Sequence, residues 1–205
     1  MRAARKQRMR RLLTELEQAN EARFRAAPFP LYGLPPSVAA PRIAGSGHPS
    51  DRAGHAPDPG GGQQLELVHG DPTVRLPSLL RVATAASPGP SQRLAPLRRL
   101  LWQEVVADRL AARRWRIGWF KAPDEQMVGG AQQLLTIPVD GHPHQFALLQ
   151  EGVVQVARVE LASHVVTVRA RRWPIHTVEL VQVTDLTPYL HGRRQLIARQ
   201  LTALR

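Results

Sequence analysis

The chain has 205 residues, of which 28 are Lys or Arg and 16 are Asp or Glu, so its formal net charge is +12. It contains no cysteine, which excludes disulfides, thiolate metal sites and thiol nucleophiles. The apolar fraction of 43% is sufficient for a hydrophobic core, and the excess of basic residues predicts attraction to anionic partners.

The first segment, residues 1–26, has the pattern of a basic amphipathic helix. Apolar residues recur at helical spacing, at Met9, Leu12, Leu16 and Ala19. An isolated helix of this length is marginally stable in water. We therefore expect Leu12 and Leu16 to be buried against the body of the protein or against a partner chain.

Residues 27–62 form a connector that contains eight prolines and seven glycines. Such a composition does not support a regular helix or a central strand. Its first part contains the apolar residues Phe29, Leu31, Tyr32 and Leu34, which we expect to lie extended against the folded domain. Its second part, residues 45–62, is polar and rich in Gly and Pro, and it predicts a flexible loop.

Residues 63–205 are predicted to form an α+β domain. Strands are expected at 65–68 and 74–82, and a helix is expected at 94–114. From residue 134 the apolar residues alternate, with turn signals at Asp140-Gly141 and Glu151-Gly152. The alternating runs extend through 153–161, 166–171 and 175–183, before a final helix at 187–204. The pattern predicts an antiparallel meander sheet of about five strands with two helices packed on one face.

No common catalytic motif is present in the sequence. The histidines that could in principle converge on a zinc ion are His142, His144, His164 and His176. Histidines in turns and strands are, however, more often solvent-exposed or structural. We expect no metal and no cofactor. Glu104 and Asp108 share a helix face at i,i+4 spacing, and we expect them to form a solvated face opposite arginines.

The basic residues are concentrated in two segments. Residues 1–26 hold eight basic and three acidic residues, and residues 93–121 hold eight basic and two acidic residues. The second segment also mixes arginines with aromatic rings, a combination that suits phosphates and exposed bases. Its candidate contact residues for an anionic partner or a nucleic acid are Arg98, Arg99, Arg109, Arg113, Arg114, Trp115, Arg116, Trp119 and Lys121.

Three functional hypotheses follow from these patterns. The first is a non-catalytic interaction module that binds an acidic protein partner through its basic helices. The second is sequence-nonspecific nucleic-acid binding through residues 1–26 and 93–121, and the third is an enzyme with a dispersed site.

The sequence also carries expectations about location. The longest charge-free stretch, residues 26–41, contains five prolines and cannot form a spanning helix. Acidic residues interrupt the region where a leader would be hydrophobic. We therefore expect a cytoplasmic protein with no membrane contact, and the use of Arg in place of Lys is typical of GC-rich bacterial genomes. The oligomeric state stays open.

Overall fold

The computed structural model of the chain describes residues 2–45, 64–74, 77–87, 96–113 and 122–203. In these ranges the fold is α+β, with mostly antiparallel strands and three α-helices. The helices are α1 (Arg2–Arg25), α2 (Leu97–Arg113) and α3 (Thr187–Ala203). None of the helices in the described part is long and apolar enough to cross a membrane.

The main sheet has seven strands among the described residues, so the prediction of about five strands is wrong. In chain order the strands are β2 (Arg42–Gly45), β3 (Gln64–His69), β4 (Leu79–Ala86), β5 (Gln133–Val139), β6 (His142–Glu151), β7 (Val154–Glu160) and β8 (His164–Arg171). In space the order is β2-β3-β4-β8-β7-β6-β5, and all neighbours are antiparallel. The two groups of strands become one sheet because β4 pairs with β8 along its whole length, from Leu79↔Arg171 to Ala86↔His164.

The strand predicted at 175–183 is also wrong. After Pro174, which has no N–H to donate to a sheet, the chain forms a 3₁₀ turn at Ile175–Thr177. The only strand in this region is β9 (Val181–Gln182), whose partner is β1 (Tyr32–Gly33) in a separate two-stranded ribbon, while Leu180 forms an isolated bridge to Val139 of β5. This part of the chain therefore covers a face of the sheet, and it pairs with the sheet edge only at Leu180.

The two faces of the main sheet are covered by different elements. On one face, which we call the α2 face, Leu101 and Val105 of α2 pack on Val154 and Val156. The opposite face is covered by the connector and by the segment between β8 and α3. Its buried apolar residues include Tyr32, Leu34, Val82, Phe146, Val168, Ile175 and Leu180.

The prediction that Phe29, Leu31, Tyr32 and Leu34 pack against the folded domain is confirmed, because all four side chains are buried. Phe29 and Leu31 belong to a second cluster on the same sheet face, together with Phe24 of α1 and Tyr189 of α3. The predicted flexible loop at 45–62 lies, apart from Gly45, outside the described residues.

The helix α3 lies along the edge strand β2. A Cβ atom on Gly192 would come within 1.9 Å of the carbonyl oxygen of Arg42, so glycine is required for this close approach. Arg193 donates from Nη1 to the carbonyl oxygen of Ala44 at 2.9 Å. Together these contacts cover one edge of the sheet, which would otherwise present unpaired backbone groups.

The helix α1 is attached to the body at its C-terminal end. Phe24 is buried in the second cluster, and Glu21 forms an ion pair with Arg194 of α3 at 2.9 Å. We expected Leu12 and Leu16 to be buried. The structure describes the backbone of these two residues but not their side chains, so this expectation stays a prediction.

Candidate functional site

The sheet beneath α2 carries a buried cluster of charged residues. Arg81 on β4 is the direct cross-strand partner of Arg169 on β8, and Arg171 follows two residues later on the same face. Glu104 of α2 is only 2% exposed and lies over these three arginines. It accepts hydrogen bonds from Arg81 at 3.2 Å, from Arg169 at 3.4 Å and from Arg171 at 2.7 Å.

The charge on Glu104 is maintained by this surrounding positive potential. Burial by itself raises the pKa of a carboxyl group, because it disfavours the charged form. The guanidinium groups of Arg81, Arg171 and Arg169 outweigh that effect and lower the pKa of Glu104 to about 2. Glu66 adds a second negative charge, 3.2 Å from Arg169. The buried Arg169 and Arg171 and the partly buried Arg81 are thus opposed by two buried glutamates.

Asp108, one helical turn after Glu104, is held in the same way. Its two carboxylate oxygens accept from Arg172, at 2.5 Å and 3.0 Å. The expectation that Glu104 and Asp108 form a solvated face is therefore wrong, because the sheet supplies partner arginines that no helical spacing predicts. Both carboxylates of α2 point towards the sheet.

The outer face of α2 is left with basic and neutral residues only. Arg99 and Arg109 are exposed, and no carboxylate lies within ion-pair distance of either among the described residues. Leu110 is also exposed on this side, at 49%. We call Arg99, Arg109 and Leu110, with the half-buried Gln103 between them, the outer face of α2.

The other predicted contact residues divide into two groups. Arg98 is used structurally, because its Nη1 donates to the carbonyl oxygens of Val128 at 2.7 Å and Gly129 at 3.0 Å. Arg113 is the last residue of α2, and its side chain lies outside the described part of the chain. The same is true of the whole of Arg114, Trp115, Arg116, Trp119 and Lys121.

The position of α2 on the sheet is fixed by more than the ion cluster. The indole N–H of Trp102 donates to the carbonyl oxygen of Pro123 at 2.6 Å, and Arg98 bonds the same loop a few residues later. Asp124 caps the short 3₁₀ turn Glu125–Met127 by accepting from the Gln126 N–H. These hydrogen bonds hold the loop that follows α2 against the first turns of the helix. They thereby orient the outer face of α2.

The four histidines considered as metal ligands do not form a site. No group of three or more His, Asp or Glu side chains that could hold a metal ion occurs in the described ranges, which include all four histidines. His164 is buried and stacks on Tyr32, with ring centroids 5.5 Å apart. Burial lowers the pKa of His164, so this imidazole is neutral and structural at pH 7.

A second buried polar group, which the sequence pattern did not indicate, joins the connector to the sheet. The Leu34 N–H donates to Nε2 of fully buried His69 at 3.2 Å, and His69 packs edge-on against Tyr189. Arg42 donates to the Tyr189 hydroxyl at 3.0 Å and to carbonyl oxygens of the connector. The three side chains come from distant parts of the sequence, so no local spacing could have linked them.

An open cavity of about 440 Å³ lies between β2 and α3. Its polar lining includes His191, Gln195, Arg199 and Asp71. Arg199 and Asp71 are already paired, at 3.6 Å, and His191 is hydrogen-bonded to Gln195 at 2.8 Å. The cavity therefore offers few unsatisfied polar groups to a ligand, and the outer face of α2 remains the stronger candidate for binding.

Comparison with known proteins finds no matching family model, no matching curated protein and no matching solved structure.

Proposed function

We propose that the protein is a non-catalytic interaction module that binds an acidic protein partner through the outer face of α2. The observation that carries this proposal is the orientation of the two carboxylates of the helix. Glu104 and Asp108 neutralise arginines of the sheet, so they cannot neutralise Arg99 and Arg109 on the opposite side. Within the described part of the chain, the helix therefore presents uncompensated positive charge to the solvent.

The exposed part of α1 adds to this charge. Arg8 and Arg23 are exposed and have no carboxylate partner among the described residues, whereas Arg11 and Arg25 are paired with Glu15 and Glu21. A helix of 24 residues is about 36 Å long, so α1 can extend well beyond the sheet from its attachment at Phe24. Both helices thus carry arginines that long-range attraction would direct towards an acidic surface.

The composition of the outer face favours a protein partner. Leu110 is an exposed apolar residue beside the arginines, and protein interfaces commonly combine an apolar contact with arginine. A nucleic-acid backbone would use the arginines but would gain little from an exposed leucine. Nucleic-acid binding is therefore the alternative, and the experiment must distinguish it from binding of an acidic protein.

The test is a fluorescence anisotropy titration of the full chain with a labelled Asp/Glu-rich peptide. The double variant R99Q/R109Q removes two charges from the outer face of α2. A matched control, R194Q/R199Q, removes the same charge from exposed α3 arginines that are already paired with Glu21 and Asp71. We expect about a fivefold loss of affinity in the first variant, since exposed charge pairs each contribute about 0.2–1 kcal/mol. The control should bind nearly as the original chain does.

The same titration with random DNA and RNA, at two salt concentrations, decides between the two hypotheses. Binding of nucleic acid that decreases steeply with salt and weakens in R99Q/R109Q, without binding of the acidic peptide, would replace our proposal by nucleic-acid binding. Equal losses in the two double variants would show that only net charge matters, and would contradict a role for this face.

A further inference from the structure

The strand β5 forms the second edge of the seven-stranded sheet, and part of this edge is open in the described part of the chain. The other edge, β2, is covered by α3. At the C-terminal end of β5 the chain covers itself, because the Leu180 N–H donates to the Pro138 carbonyl at 2.9 Å and the Asp140 N–H donates to the Leu180 carbonyl at 2.8 Å. No described residue covers the preceding part of the strand, from Gln133 to Ile137, in this way.

The bonds to Leu180 reveal which backbone groups of β5 point outwards. Pro138 and Asp140 direct their backbone groups away from β6, so the alternation of a strand makes Leu134 and Thr136 do the same. Both residues are exposed, and the Leu134 side chain is 71% exposed. Among the described residues nothing bonds the N–H and C=O groups of these two positions. Pro138 fits the pattern, since proline is tolerated where no ladder bond is donated.

We propose that this edge pairs with β5 of a second copy of the same chain. In an antiparallel pair centred on Leu135, Leu134 lies opposite the partner's Thr136, and Thr136 lies opposite the partner's Leu134. Each of these pairs can exchange both N–H···O=C bonds, so every outward group of the open edge is satisfied. A two-fold symmetric dimer has this kind of self-complementary contact.

The surrounding structure limits the register of this pairing. The position outside Pro138 is occupied by Leu180, so a partner strand can extend only as far as Ile137. Opposite Ile137 the symmetric register places the partner's Gln133, which is the first residue of β5. The chain before it is no longer a strand and can turn away. A register shifted towards Pro138 would require the N–H that proline lacks.

Side chains and charge also favour a second copy. Natural edge strands often carry charges that prevent such pairing, but Gln133–Val139 contains none. The absence of charge removes local repulsion between two copies of a basic chain, and it offers nothing to an acidic peptide. On the opposite face of the sheet, partly buried Leu135 belongs to the apolar core and would lie against the partner's Leu135.

The test is the molar mass of the full chain by sedimentation equilibrium over about 5 to 500 μM. We expect the mass to rise from 22.8 kDa towards twice that value, because the contact is short and the dimer forms only at high concentration. Two variants should remain monomeric. L134P removes an outward N–H that has no described partner, and L134K adds a charge to each copy at the edge. The control V153K places the same charge on another exposed apolar residue, in the turn between β6 and β7, and should still dimerise.

Circular dichroism and thermal unfolding of each variant exclude a loss of folding as the cause. A wild-type mass that stays at 22.8 kDa throughout the range would overturn the proposal. It would also be overturned by a dimer that persists in both L134P and L134K, since such a dimer would use another surface. A dimer lost in these variants and retained in V153K would support it, whatever the outcome of the peptide titrations.

Discussion

At the scale of single residues, Glu104 determines how α2 meets the sheet. It is the common partner of Arg81, Arg169 and Arg171, and all of these groups are largely removed from water. Removing one member of a buried ionic group is costly, because the charges that remain lose their compensation without regaining water. The carboxylate is therefore more important to stability than its single position in a helix indicates.

The substitution E104Q tests this role. It keeps the size of the side chain but leaves two buried guanidinium groups and the partly buried one of Arg81 opposed by Glu66 alone. We expect the free energy of unfolding in urea to decrease by about 3–5 kcal/mol. The control E160Q changes an exposed glutamate on β7 and should alter the free energy by no more than about 0.5 kcal/mol. Similar small effects for both variants would contradict the importance of the ion cluster.

His69 gives a second prediction, for the dependence of stability on pH. Burial, and to a smaller extent the charge of Arg42, lowers the pKa of His69 from 6.5 to about 3. Between these values the unfolded chain binds a proton that the folded chain does not. The neutral His69 therefore makes its full contribution to the free energy of unfolding above pH 6.5. This contribution decreases as the pH falls towards 3.

The loss caused by His69 should reach about 2 kcal/mol at pH 5. The variant H69Q can still accept the Leu34 N–H but does not titrate. We expect the difference in unfolding free energy between pH 7 and pH 5 to be smaller in H69Q by this amount, because His164 and the carboxyl groups contribute equally to both proteins. Parallel pH profiles for H69Q and the original chain would show that His69 is not buried as a neutral imidazole.

At the scale of elements, Gly192 decides how closely α3 approaches β2. Replacing a glycine inside a helix by alanine usually stabilises the helix, by up to about 1 kcal/mol. Here we expect the opposite sign, because the new Cβ would meet the backbone of Arg42 and push the helix from the edge strand. G192A should lower the free energy of unfolding by at least about 1–3 kcal/mol.

The matched control for this prediction is G130A, at a glycine where an added Cβ would meet nothing within 4 Å. It should leave the stability close to that of the original chain. Thermal unfolding of both variants gives the comparison. A G192A protein that is as stable as G130A, or more stable, would mean that α3 does not lie against β2 as described.

The elements that the sequence predicted well are those with a local signal. Alternating residues and two short turns predicted β5 to β8, and apolar spacing predicted α2 and α3 to within a few residues of their observed bounds. The pairing of β4 with β8 has no such signal, because the two strands are nearly eighty residues apart. The strand prediction for 175–183 failed for a related reason, since the apolar residues Ile175 and Val178 are buried against a sheet face, and lateral pairing begins only at Leu180.

The candidate site was predictable only in part. Sequence indicated the basic character of the segment around α2 and the exposed arginines Arg99 and Arg109. It could not indicate that Glu104 and Asp108 turn inwards, because their partners lie on β4, on β8 and just after β8. It also assigned Arg98 to the binding surface, although backbone carbonyls of the following loop occupy its guanidinium. The orientation of Glu104 and Asp108 and the role of Arg98 all depend on contacts with residues far away in the sequence. Composition and local spacing do not reveal such contacts.

At the scale of the whole molecule, the described structure places the charged surface around α2 and the uncharged edge of β5 in different parts of the sheet. The ion cluster and the outer face of α2 lie on one side of the sheet, whereas the uncharged edge of β5 lies at its margin. An acidic partner and a second copy of the chain would therefore use different surfaces. Binding of one should not exclude binding of the other.

The most direct test of the account is a nuclear magnetic resonance titration of the ¹⁵N-labelled full chain with the Asp/Glu-rich peptide. If α2 presents an uncompensated positive face, the largest chemical-shift changes should occur at the amides of Arg99, Gln103 and Arg109, and Thr136 on β5 should not shift. The R194Q/R199Q variant should give the same pattern. Shift changes that are concentrated on α3 or on the edge of β5, with α2 unperturbed, would contradict the proposal that this helix binds the partner.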